Sequence, residues 1–100
     1  MTIRVLVADD QAMIRGALAG LLDLEHDIEV VAQAADGAQA LEELARLASA
    51  GDPARASAPV DVAIVDVEMP RMDGITATQA IYSRFPGVRV LIVSTFGRPG

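Results

Sequence analysis

Four short apolar runs, separated by segments whose apolar residues recur at helical spacing, leave this chain very few ways to fold. Ile3 to Ala8 is almost continuously apolar and reads as a central strand buried on both faces. From Gln11 to about Glu25 the period changes: Ile14, Leu18, Leu21 and Leu22 share one stripe and Asp10 is available as N-cap, so a helix follows. After the polar His26-Asp27, Ile28 to Ala34 returns to strand character. Asp36-Gly37 signals a turn, and Ala38 to Ala48, with Leu41, Leu44 and Leu47 in step, reads as a second helix. Val62 to Val65 carries Asp66 to the end of a third strand, and Ile75 to Phe85 forms a third helix stopped by Pro86-Gly87. Val88 to Val93 is a fourth strand ending at Ser94-Thr95. The alternation is (βα)3β, and right-handed crossovers turn it into an α/β, doubly wound parallel sheet.

Between the second helix and third strand, Ser49 to Pro59 holds Gly51, Pro53 and Pro59 among small residues. It reads as an irregular surface loop, either a tolerated insertion or partly an extension of the helix. The 100 residues suit one domain, and with aromatic residues at only 3% its core must be aliphatic. A net charge of -6 argues against nucleic acid or an anionic membrane as a direct partner, so any DNA binding needs another domain. No apolar stretch is long enough to span a membrane, no signal-peptide layout precedes the first strand, and there is no cysteine. A cytoplasmic protein is expected.

Three of the strands end in polar residues: Asp9-Asp10, Asp66 and Ser94-Thr95. In an open parallel sheet, ligands bind beyond the carboxyl ends of the strands. Neighbouring strands would bring these residues to one edge, where several carboxylates repel unless a hard cation holds them together. Mg²⁺ suits oxygen-only ligands, and a carboxylate beside it can take up a phosphoryl group. The competing readings are structural: Asp10 as a cap, Asp66 as a turn residue, Ser94 as a strand-end cap. Asp36 and Asp73 read as a cap and a turn residue, His26 as solvated surface, and Tyr82 and Phe85 as helix packing.

The stretches Val5-Leu-Val-Ala-Asp-Asp10, Ile64-Val-Asp-Val-Glu-Met-Pro-Arg-Met-Asp-Gly74 and Val90-Leu-Ile-Val-Ser-Thr-Phe96 together resemble the receiver domains of two-component response regulators. Asp10-Gln-Ala-Met-Ile-Arg15 is similar to the branch that precedes a LuxR/NarL-type DNA-binding domain. The resemblance implies a flavodoxin-like sheet of strand order 2-1-3-4, with Asp66 as phosphoacceptor. It implies Mg²⁺ on Asp9, Asp10, Asp66 and the backbone carbonyl of Glu68, and Ser94 as switch hydroxyl. It also implies a sensor histidine kinase as partner, a transcriptional output domain outside this stretch, and self-catalysed phosphoryl acceptance rather than turnover as an enzyme. The family's fifth β/α unit and its lysine have no counterpart here, where there is no lysine at all. Residues 1–100 are therefore expected to be a receiver domain incomplete at its C-terminus.

Two rivals remain. A phosphorylation-incompetent module could self-associate or swap domains, using Val90 to Val93 as an apolar edge, and a homodimer contact could use the stripe Met13, Gly16 and Gly20. A haloacid dehalogenase-type phosphatase would want an aspartate where Glu68 stands, and a lysine downstream.

Overall fold

Strands that are apolar on both faces need cover on both, and three helices supply most of it. The computed structural model describes residues 1–94. Its parallel strands β1 (Ile3–Ala8), β2 (Ile28–Ala34), β3 (Val62–Asp66) and β4 (Arg89–Val93) lie in the order β2-β1-β3-β4. The helices α1 (Ala12–Asp23), α2 (Gly37–Ala50) and α3 (Gly74–Arg84) alternate with them. Side chains alternate across a strand, and here they divide two cores. Leu6 and Ala8 join Ala40, Leu41 and Leu44 of α2 and Ile81 of α3 in one cluster. Val5 and Val7, equally buried, point to the other face, where α1 packs on β1 and β2. A leucine buried as fully as Leu6 or Leu44 contributes about 2–3 kcal/mol of transfer free energy. This is the doubly wound arrangement expected from the alternation, in the flavodoxin-like strand order that the resemblance implies.

Several local expectations need correction. The N-cap of α1 is Gln11, whose side chain makes no capping bond, and not Asp10. Leu21 is 65% exposed instead of sharing the core stripe, while Ala19 is buried. Each residue turns the helix by about 100°, so Leu21 sits about 160° round the axis from Ala19 and faces out. Tyr82, half exposed, does not pack as Phe85 does. Of the two readings of Ser49 to Pro59, the structure bears out the partial extension of the helix: α2 runs on to Ala50, and Pro53–Arg55 then form a turn of 3-10 helix capped by the Asp52 carboxylate on the Ala54 N–H at 2.9 Å. Its far end is held where the Gly87 N–H donates to the Ser57 carbonyl at 2.8 Å. No described helix is long and apolar enough to cross a membrane.

Candidate metal centre at the carboxyl end of the sheet

Register decides what meets at the sheet edge. Ala8 of β1 pairs with Val65 of β3, so Asp9 and Asp66 are the next residues along the same two strands. Asp66 in turn pairs with Val93 of β4, which puts Ser94 one step further out on the same edge. The outcome is that Asp9, Asp10 and Asp66 each present a carboxylate oxygen within 4.8 Å of the others. Asp9 and Asp66 are buried, at 2% and 1% exposure, and Asp10 is half-buried. Asp9 is fixed at three points. Its N–H donates to the Ala34 carbonyl at 3.0 Å, one carboxylate oxygen accepts the Gln11 N–H at 2.9 Å, and its carbonyl accepts from the Arg15 guanidinium at 2.8 Å.

The segment after Asp66 folds tightly back. The Val67 N–H donates to the Val93 carbonyl, and the Gly74 N–H to the Val67 carbonyl, both at 3.0 Å. A Cβ on Gly74 would overlap the carbonyl oxygen of Asp66, so only glycine lets α3 start this close to the strand end. Within the loop Glu68 is exposed and Met69 is buried in the α2–α3 core. The Met72 N–H donates back to the Pro70 carbonyl at 2.7 Å, with Arg71 between them at a φ of 65°. Met72 then accepts the Gly37 N–H at 3.1 Å, and a Cβ on Gly37 would lie 2.6 Å from that same Met72 oxygen. Asp73 closes the loop as N-cap of α3: its carboxylate takes the Thr76 N–H at 2.8 Å, and that hydrogen bond holds its pKa below the ordinary value.

The structure thus brings together Asp9, Asp10 and Asp66, and sets Glu68 and Ser94 along the same edge. Asp36 and Asp73 are both helix caps. His26 is exposed. Thr95 and Phe96, part of the fourth-strand stretch, lie outside the described residues. Arg71 was missed by the reading of the sequence. Its Nε lies 3.1 Å from Asp36 Oδ2, joining the loop after β3 to the start of α2. The only sequence signal was a basic residue following proline in a tight turn, and nothing local identifies its partner.

An all-oxygen, carboxylate-rich set gathered within 4.8 Å fits a hard divalent cation such as Mg²⁺. Buried like charges repel, and a cation in their midst removes that cost.

Comparison with known proteins bears on the chain and its fold as a whole. The family model for the response regulator receiver domain matches residues 5–99. The transcriptional regulatory protein YvfU of Bacillus subtilis is 39% identical over 98 residues, covering 98% of this chain and 44% of YvfU. A protein-glutamate methylesterase/protein-glutamine glutaminase of Rhodospirillum centenum is 35% identical, covering 97% of this chain and 22% of that protein. The chain therefore spans less than half the length of these two curated relatives. Among solved structures, the signal receiver domain of NarL from Mycobacterium tuberculosis superimposes with a TM-score of 0.77 at 35% identity, covering 98% of this chain and 70% of that one.

Proposed function

The chain belongs to the response regulator receiver domain family, and from that premise we propose that it accepts a phosphoryl group from a sensor histidine kinase on Asp66. The observation that carries this reading is the convergence of Asp9, Asp10 and Asp66 at the end of neighbouring strands, with Asp66 next to a tightly turned loop. Asp9, Asp10, Asp66 and the Glu68 backbone carbonyl would hold Mg²⁺. Bound there, Mg²⁺ supplies positive charge against the carboxylates and the incoming phosphoryl oxygens.

In the transfer, a carboxylate oxygen of Asp66 bonds to phosphorus as the P–N bond of a phosphohistidine breaks. The imidazole leaves and takes up a proton, and Asp66 becomes an acyl phosphate. The Asp9 anchors keep the first strand end rigid during this exchange. The Ser94 hydroxyl, one step beyond the residue that pairs with Asp66, donates a hydrogen bond to a phosphoryl oxygen and carries the change to neighbouring elements. A DNA-binding output in a separate domain, acting in the cytoplasm, agrees with the transcriptional relative and with a net charge of -6, which disfavours DNA binding by this stretch itself. Homodimerisation belongs to the same proposal. It is favoured by Leu91 and Ile92, which are 54% and 40% exposed on β4, an edge among the described strands.

A hydrolase of the haloacid dehalogenase type is not favoured. Glu68 stands where such an enzyme wants aspartate, and the matching family is the receiver's.

The test is the intact mass after incubation with acetyl phosphate, with and without Mg²⁺, beside Asp66→Asn. A Mg²⁺-dependent phosphoryl adduct that vanishes in Asp66→Asn is expected. An adduct that persists in Asp66→Asn, or none either on this chain or on one extended through a fifth strand and its lysine, removes Asp66 from this role.

A further inference from the structure

Arg71 holds a backbone conformation that side chains with a Cβ disfavour, at a φ of 65°. Such a residue persists only where its surroundings determine it, and here they do so from three sides. The Met72 N–H closes the turn on the Pro70 carbonyl, the Met72 carbonyl takes the Gly37 N–H, and the Arg71 guanidinium meets Asp36 at 3.1 Å. Asp36 is occupied at both oxygens. Oδ1 caps α2 by accepting the Gln39 N–H at 2.8 Å, while Oδ2 faces Arg71. Its side chain is 12% exposed against 61% for Arg71, so the carboxylate is the fixed member and the arginine the arm that reaches it. Glu42 offers a second, looser carboxylate at 3.9 Å.

The position of this link gives it a consequence. One end lies in the loop that carries the Glu68 carbonyl and ends at Gly74 against Asp66. The other lies just beyond β2, whose last residue Ala34 accepts the Asp9 N–H. The Arg71–Asp36 pair therefore bridges the two connections that flank the acid cluster. We infer that Arg71 is a positioning residue: through Asp36 it latches the loop after Asp66 to the start of α2, and so sets how tightly the acid cluster holds a divalent cation. This rests on the metal-binding reading above, while the latch itself does not.

Arg71→Gly separates the latch from a merely structural role, because glycine accepts the left-handed backbone and removes only the arm. In the full chain, its melting temperature is expected to stay level or rise. Its Mg²⁺ dissociation constant, by calorimetric titration, is expected to weaken about two- to fivefold, the range of an exposed ion pair. Hydrogen exchange at the Gly37 and Met72 amides should quicken. Asp36→Asn, which keeps a capping side chain, should reproduce both effects, and the double variant should add nothing further. Unchanged exchange and affinity in Arg71→Gly, or additive effects in the double variant, overturn the proposal. If the wild-type chain binds no Mg²⁺, the metal reading fails, and the exchange cycle still decides whether the latch exists.

Discussion

Asp61, where β3 is about to begin, gives its carboxylate to the protein: Oδ2 accepts the Arg4 N–H at 2.8 Å and Oδ1 lies 3.3 Å from the Arg55 guanidinium. Its backbone is tied as well, donating to the Arg4 carbonyl and accepting the Arg89 N–H. Where β1 and β3 end, Asp9, Asp10 and Asp66 bring their carboxylates within 4.8 Å of one another. The same residue type thus stitches three strands at one end of the sheet and concentrates negative charge at the other. An acid matched to amides and an arginine lowers the free energy of the fold, whereas carboxylates brought close together repel one another, and a hard cation among them would relieve that repulsion. The two ends differ in what their aspartates face: donors from other strands at one, neighbouring carboxylates at the other.

The largest effect expected from this contrast is at the structural end. Asp61→Ala leaves the Arg4 N–H without its carboxylate and should cost about 1–2 kcal/mol in urea unfolding, with or without Mg²⁺. Asp10→Asn should move the other way, gaining up to about 1 kcal/mol in metal-free buffer by removing one of three like charges, and the gain should shrink or reverse when Mg²⁺ is added. If Asp10→Asn destabilises the metal-free chain instead, the acids at that end are structural too and the contrast collapses.

A smaller effect sharpens the comparison. Asp73 lies at the carboxyl end of the sheet, yet like Asp61 its carboxylate accepts a backbone N–H, here from Thr76. That bond depresses its folded pKa, so the stability it adds is complete above the ordinary carboxylate range near about pH 4 and is lost as pH falls through the lowered folded value. The difference in urea midpoint between wild type and Asp73→Ala should therefore narrow on acidification, and Asp73→Asn, still a cap, should lose that pH dependence. A gap that stays constant down to strongly acidic pH would assign the cap to something other than the ionised carboxylate.

Legibility followed the range of the interactions. β1, β2 and β3 were readable to the residue because each is a continuous apolar run with polar stops, and the cap Asp36 because capping acts over three residues; Asp73, which reads as a turn residue in the sequence, caps α3 instead. The tilt of α1 was not. The apolar spacing puts Leu21 on the core stripe, but the surface of β1 and β2 chose Ala19 and left Leu21 in solvent. Asp61, unremarked in the sequence, proved to be a hub because its partners Arg4 and Arg55 come from other segments. Arg71 escaped for the same reason: its strained backbone and its ion pair exist only once α2 lies beside the loop.

By itself, the sequence determined the alternation of strands and helices and the placement of Asp9, Asp10, Asp66 and Ser94 at strand ends, because periodicity, turn chemistry and chain direction are local properties. The tertiary structure alone decided that Ala8 pairs with Val65 and Asp66 with Val93. A one-residue slip in either pairing would reverse a strand's buried face, so packing of the whole core selects the register. That selection turns acids distant in the chain into neighbours within 4.8 Å.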